Sequence, residues 1–390
     1  MDFVQPKSKF YCSIQKILKS EVLPGALLLI STIIALAIAN SSLGTEYHHI
    51  LEDKIIGNIT IHAFINDFLM AIFFLVVGSE IKKEVISGHL SNIKKASFPV
   101  IGSIGGVTVP AIIFFLINRG TSYSNGVGIP ISTDIAFALG AFMIFKKKLN
   151  PSLKIFLLTL AVVDDLMSIA IIGIFYSSSI RIVPLLIAGI ILIVLFNIHK
   201  INKSNSLVPY MILGIFLWYF VYQSGIHATI SGVLLAMTIP MAKKEEECCI
   251  LSKVEEGLCY YANLVILPLF AFANTGILLS LNSFSADSRT LSLGIIIGLV
   301  VGKPVGILLF TMIASKLNLT EKTKGVKWTE VLSVATIAGI GFTMSIFVSE
   351  IAFSEMSQAL DLAKISILIA AVISCLIAFI TINIIPKKVS

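Results

Sequence analysis

Asp164 and Asp165 stand side by side in LAVVDDL, at the centre of an apolar run from 153 to 177. An ionisable group at the middle of a hydrocarbon layer costs about 2.5–3.5 kcal/mol on insertion scales, so sequences rarely carry one without a use. At about 1.5 Å of rise per residue, the pair lies roughly 15 Å from either end of the run. Neighbouring helical residues point about 100° apart, so the two carboxylates command a broad arc that must face protein or water. They cannot both ionise cheaply, and they titrate as a coupled pair. A desolvated Na⁺ supplies the missing positive charge and prefers hard oxygen ligands. Proton and sodium ion then compete for the same oxygens, which is the chemistry of exchange. The alternative is a structural pair bonded to neighbouring helices.

Two further charges lie deep in apolar segments. Lys303, in GLVVGKPVGILLF, is about eleven residues, or roughly 16 Å, from the nearer end of its run. Snorkelling moves a lysine head only part of that distance, so Lys303 must pair internally, with a mid-membrane carboxylate as its natural counter-ion. It is either a second proton carrier, released when Asp164 or Asp165 takes sodium, or a static bridge between helices. Pro304 is expected to break the helical ladder there and free a carbonyl. Asp134 sits in GIPISTDIAFALG, where Gly126, Gly128 and Pro130 make a poor helix and Thr133 offers a hydroxyl just before the acid. A second weak segment, TIAGIGFTMS, has Gly339 and Gly341 followed by Thr343 and Ser345. Two glycine- or proline-interrupted spans in corresponding places of two halves point to a transporter site built from broken helices. Asp134 and Lys303 would there compensate opposite half-helix dipoles, a role that suits Asp134 better than direct sodium ligation.

Other charges lie nearer the ends of runs. Glu80, Lys82, Lys83 and Glu84 follow one span, and Glu245, Glu246, Glu247, Glu255 and Glu256 precede another. They form either a cation funnel and pH sensor or an ordinary solvated face. His227, alone at a span start, is either a structural histidine or part of that sensor.

The elements that must position these residues follow from composition. The chain has 390 residues, 56% hydrophobic and 13% charged, with mean hydropathy +0.96, whereas soluble domains carry about 25% charged residues. Most of its surface therefore meets lipid. A helix needs roughly 20 apolar residues to cross the hydrocarbon core. Spans are expected near 22–40, 62–80, 96–117, 127–145, 153–177, 182–198, 206–223, 225–241, 259–280, 291–314, 331–349 and 363–385. The fold class is thus an all-α polytopic membrane protein of about 12 transmembrane helices in a single domain, with inverted structural repeats and two discontinuous helices. Lys303 apart, this alternation puts all but five of the 29 Lys and Arg residues on the side of the termini. The five are Lys54, Arg119, Arg181, Arg289 and Lys364. By the positive-inside rule both termini, with the segment 1–21, are cytoplasmic.

The net charge of +7 does not indicate nucleic acid, because the lysines lie in short clusters between apolar runs. No small-residue cleavage site precedes the first run, so no cleaved signal peptide is expected. Cys12, Cys248, Cys249, Cys259 and Cys375 show no metal-ligand spacing and are expected as free thiols. The outer segment 41–61 is either a small β-hairpin around Gly57–Asn58, serving self-association as a homodimer, or a plain polar connector.

Taken together these strings resemble the NhaA family of bacterial Na⁺/H⁺ antiporters. The likeness covers nearly the whole chain: EVLPGALLL, IAN with Ser41, INDFLMAIFFLVVGSEIKKE, GIPISTDIAFALG, LAVVDDL, SGIHATISG, ILPLFAFAN, GKPVGI and AGIGFTMSIF. NhaA is itself a type case for broken helices at a midplane site, so that rule and the resemblance are not independent. The resemblance implies electrogenic exchange by alternating access in the inner membrane, with more protons entering than Na⁺ leaving. It also implies Li⁺ as an alternative ion and activation at alkaline pH. Na⁺, Li⁺ and H⁺ are then cargo, and no cofactor is expected. Residue by residue, Asp164 and Asp165 match the ion-binding pair, and Asp134 and Lys303 match the charges where broken helices cross. Glu80, Lys83, Glu84, His227 and Glu255 match positions tied to pH response. The chain departs from the family at Cys259-Tyr260-Tyr261, where His-Pro-Trp is usual. Ser79 replaces a leucine and Pro24 a glycine. The first two flank the sensor region, which puts the pH profile in more doubt than the ion chemistry. A sodium-coupled organic-anion symporter on a related fold is the other transporter reading. Enzyme readings fit poorly: an intramembrane aspartyl hydrolase needs its acids on separate helices, and a Mg²⁺-dependent prenyl-phosphate enzyme needs spaced acids near a surface.

Overall fold

The computed structural model describes residues 20–57, 59–176, 180–201, 206–241, 250–278, 288–320 and 325–384. Most of the N-terminal segment, Cys12, Cys248, Cys249 and the acids 245–247 lie outside the described residues. Helix α1 (Leu23–Ala39) starts at Pro24 in its first turn, where a missing amide hydrogen loses no bond. After a 112° bend comes α2 (Gly44–Glu52), then strands β1 (Lys54–Ile56) and β2 (Ile59–Thr60), paired antiparallel. The expected outer connector thus carries a short helix as well as a hairpin. Next are α3 (Ile61–Ile86) and α4 (Ile93–Asn118). A 3₁₀ stretch, Ser124–Ile131, leads to α5 (Ile135–Ile144).

The chain continues as α6 (Ser152–Phe175), α7 (Ile182–Ile201), α8 (Val208–Gln223) and α9 (Ile230–Thr238). Helix α10 (Ile250–Tyr261) runs through a π turn, Ala262–Ile266, into α11 (Leu267–Thr275). The last four are α12 (Arg289–Lys316), α13 (Trp328–Ala338), α14 (Phe342–Ala352) and α15 (Ser357–Ile384).

The chain is a polytopic membrane protein. Among the described residues, seven helices are long and apolar enough to cross a bilayer, or nine if each of two bent pairs is one span. The bent pairs are α1 with α2 and α13 with α14, while Ile182–Ile198 and Val208–Gln223 are shorter apolar helices. The span expected over 225–241 is cut down: Gly225 takes a left-handed φ of 82°, and helix starts only at Ile230. At Pro304 the helix does not break. A π turn, Gly298–Gly302, widens the ladder just before it, absorbing the missing donor, as such turns often do at functional sites. Many large apolar side chains face outward, among them Ile33, Leu116, Ile174, Leu186 and Ile193, forming the surface that lipid covers.

Two close approaches fix the interior. A Cβ on Gly105 of α4 would collide with the carbonyl oxygen of Gly306 on α12, and the reverse holds for Gly306. The two backbones therefore touch, as small residues allow in membranes. Gly232 of α9 meets the Ala71 carbonyl of α3 in the same way. The first contact lays Lys303 against α4, its Cγ only 3.8 Å from where a side chain on Gly106 would begin.

Candidate functional site

Two interrupted elements cross at the centre of the bundle. Residues 132–134, between the 3₁₀ stretch and α5, have no helical structure, and neither do Ile340 and Gly341 between α13 and α14. Both stretches leave backbone groups without helical partners, and these pair across the crossing. The Asp134 amide donates to the Ile340 carbonyl at 2.9 Å. Ser345 Oγ donates to the Ile129 carbonyl at 2.8 Å.

Asp134 faces the positive ends of two half-helices. Its Oδ1 accepts from the Phe137 amide at 2.9 Å, capping α5. Its Oδ2 accepts from the Thr343 amide at 3.1 Å and the Thr343 hydroxyl at 2.5 Å, at the start of α14. A carboxylate there offsets two dipoles at once. Lys303 takes the opposite end: its Nζ donates to the Ile131 carbonyl, the last of the 3₁₀ stretch, at 2.6 Å.

The two adjacent acids have different surroundings, although both are completely buried. Asp164 Oδ1 accepts from Ser103 Oγ at 2.5 Å. Its Oδ2 lies 2.9 Å from Lys303 Nζ and 2.8 Å from Thr133 Oγ1. Thr133 Oγ1 is also 2.9 Å from the Ala338 carbonyl, and its single hydrogen serves one acceptor at a time. Neither oxygen of Asp165 has a hydrogen-bond partner among the described residues. Asp165 instead lines the deep end of a cavity of about 780 Å³ that also reaches Asp134 and Thr343. Nearer its mouth the lining includes Glu80, Lys83, Glu84 and Glu255. There Lys83 pairs with Glu255 at 2.9 Å, and Glu84 Oε1 accepts from the His89 amide at 2.9 Å. The side chain of Glu256 lies outside the description.

A fixed, lysine-paired carboxylate beside one with open coordination, reached through an acid-lined cavity, is an arrangement for taking up a small cation. Among the described residues no three His, Cys, Asp or Glu side chains converge on one metal position. The oxygens on offer are two carboxylates, hydroxyls and backbone carbonyls.

The profile of the family described as Na⁺/H⁺ antiporter 1 matches residues 15–382. The chain belongs to this family. It is 41% identical to the Na(+)/H(+) antiporter NhaA 2 of Aliarcobacter butzleri, over 96% of this chain and 98% of the relative. To the NhaA of Pelagibacter ubique it is 42% identical, over 94% and 96%. To that of Helicobacter pylori it is 38% identical, over 97% and 96%.

In this Na⁺/H⁺ antiporter family member the structure brings Asp134, Thr133, Asp164 and Lys303 into one network, with Asp165 beside it at the cavity. Glu80, Lys83, Glu84 and Glu255 gather at the cavity mouth. His227 is separate: its Nε2 lies 3.1 Å from the Tyr176 carbonyl at the end of α6, and it does not line the cavity. Sequence reasoning missed Ser103, whose only signal is one hydroxyl in the glycine-flanked stretch VIGSIGG. It also missed Tyr176, whose hydroxyl donates to the Asn125 carbonyl at 2.5 Å and accepts from the Gly128 amide at 3.1 Å. Those bonds hold the 3₁₀ stretch whose last carbonyl receives Lys303.

Proposed function

We propose that this chain exports cytoplasmic Na⁺, or Li⁺, in exchange for a larger number of protons, by alternating access in the bacterial inner membrane. Na⁺ and H⁺ compete for the carboxylates of Asp164 and Asp165. The observation that carries this reading is the open coordination of Asp165 at the deep end of the cavity, next to an Asp164 already engaged by Ser103 and Lys303. An entering cation meets Asp165 first. Binding that extends to Asp164 competes with Lys303 for Oδ2, and Lys303 keeps the Ile131 carbonyl as its second partner. Lys303 is thus the group whose proton is loosened as the cation settles, while Asp134 and Thr133 hold the crossing in shape.

About twelve spans, in inverted repeats that meet at the crossing, complete this reading. The lysine-rich face, with both termini, is cytoplasmic. The mouth charges Glu80, Lys83, Glu84 and Glu255 set the pH response, His227 acts on it from outside the cavity, and the 54–60 hairpin serves a homodimer.

The test is Na⁺-induced proton movement in everted vesicles or proteoliposomes, comparing the intact chain with Asp164→Asn and Asp165→Asn from mildly acidic to alkaline pH. Proton release on adding Na⁺ or Li⁺, lost in both variants and sensitive to membrane potential, is the expected result. Correctly inserted protein with no Na⁺-dependent proton flux at any pH would overturn the antiport reading and bring the organic-anion symporter forward.

A further inference from the structure

A second group of buried charges lies at the other end of the bundle, away from the cavity. Helix α3 begins at Ile61 and carries Lys83, at the cavity mouth, roughly 30 Å further along. At its start His62 Nε2 lies 3.1 Å from Asn274 Oδ1, at the end of α11. Asn66, one turn on, exchanges amide bonds with Asn274 at 2.8 and 3.1 Å. Across from them Glu350, near the end of α14, has its Oε1 2.5 Å from Lys364 Nζ on α15, and His62 Nε2 is 3.9 Å from that same oxygen. The Glu350 and Lys364 side chains are only 13% and 8% exposed. Burying an ion pair away from water rarely yields net stability, and neither group touches the exchange site.

The placement of this cluster suggests a use. Helix α14 starts at the crossing, where Thr343 holds Asp134, and carries Glu350 in its last turn, so the far end of α14 must follow any reorientation of the crossing. Between the crossing and the cluster, Phe347 of α14 packs on Phe74 of α3 and Phe270 of α11, with ring centroids 5.3 and 6.2 Å apart. All three rings are buried. The same three helices therefore meet twice on the far side of the crossing, first through aromatic rings and then through polar groups. The His62–Glu350 contact joins the α3–α11 side to the α14–α15 side.

We infer that His62, Glu350 and Lys364, backed by the Asn66–Asn274 pair, form a latch that holds the far end shut while the cavity is open at the lysine-rich end. The latch must part in each transport cycle. Glu350 keeps Lys364 as its partner when it leaves His62, and His62 keeps Asn274, so parting strands neither group. The inference rests on the alternating-access reading above.

The test joins the two sides covalently. The full chain with its native cysteines replaced carries His62→Cys and Glu350→Cys, and is treated in proteoliposomes with a reductant-cleavable bis-methanethiosulfonate cross-linker. Before treatment the variant transports, which keeps the antiport reading separate. The expected result is loss of Na⁺/H⁺ exchange on cross-linking, no loss in either single-cysteine chain, and recovery on reduction. Exchange that continues at an unchanged rate in fully cross-linked protein would overturn the latch while leaving antiport intact. If the double variant does not insert, the pair Ala63→Cys with Ile351→Cys leaves the charges in place and is read the same way. Removing the ion pair as a unit, with Glu350→Gln and Lys364→Met, is expected to raise the apparent KM for Na⁺ on the cavity side several-fold at little change in maximal rate, because the state that offers the cavity becomes less populated. An unchanged KM would also count against the latch.

Discussion

Ser103 and Ser168 are both buried hydroxyls near the acid pair, but they bond to groups of different charge, and that difference predicts different consequences. Ser103 donates to a carboxylate oxygen, whereas Ser168 shares a 3.0 Å hydrogen bond with the Ser132 hydroxyl. Hydrogen bonds to charged groups contribute about 1.5–3 kcal/mol and neutral ones about 1 kcal/mol. Ser103→Ala should therefore lower unfolding stability in detergent by about 1.5–3 kcal/mol, clearly more than Ser168→Ala; equal losses would mean that Asp164 Oδ1 draws little from Ser103. Lys303→Met is expected to be harsher, at about 3–5 kcal/mol, because it strands a buried carboxylate. Adding Asp164→Asn to it should restore most of that stability without restoring exchange. Unfolding curves of the three variants separate the ion pair's structural part from its part in transport. At this scale the sequence spoke most clearly where a residue is expensive in lipid. Asp134, Asp164, Asp165 and Lys303 cannot be ignored at mid-membrane, while a serine there is cheap and carries no such signal. The Glu350–Lys364 pair escaped for a related reason, since Lys364 sits near a helix end and reads as an ordinary loop charge.

Helices position these side chains through backbone contacts that tolerate no side chain. Gly105→Ala on α4 should push α12 away, because the new methyl meets the Gly306 carbonyl and overpacking costs about 1–3 kcal/mol. Displacing α12 also draws Lys303 from Asp164, so exchange should fall along with stability. Gly189 on α7 is the control: a Cβ there meets nothing within 4 Å, and Gly→Ala in a helix stabilises by about 0.5–1 kcal/mol. Melting temperatures and Na⁺-driven proton flux of the two variants check this directly, and a harmless Gly105→Ala would refute the proposed role of the contact. Broken helices were legible from Gly126, Gly128, Pro130, Gly339 and Gly341, since each weakens the helix for a local reason. The start of α9 was not. An apolar run from 225 to 241 reads as helix, yet the left-handed turn at Gly225 and the His227 contact to Tyr176 hold its first residues outside the helix. Nor does the sequence show that a π turn takes up Pro304, because that outcome depends on how α12 packs against α4.

For the whole molecule, composition settles that lipid is the solvent, and the lysine distribution gives a direction that no single helix reveals. The cavity opens among Glu84, His89 and Glu255, on the face to which the positive-inside rule assigns the cytoplasm. Cys259 gives a native probe of that assignment. It is a free thiol, and it lines the cavity. In a chain that keeps Cys259 as its single cysteine, a membrane-impermeant maleimide should label it in everted vesicles, where the cytoplasmic face is outward, and leave it unmodified in right-side-out vesicles. Labelling only in right-side-out vesicles would invert the orientation, and with it the sense of transport proposed for Na⁺. Labelling from both sides would mean that Cys259 is reached from the far face as well, so that it does not stay on the cytoplasmic side of the seal through the cycle. A thiol in the wall of this cavity is a stricter reporter than a loop cysteine, because it reacts only where water enters the cavity from that face.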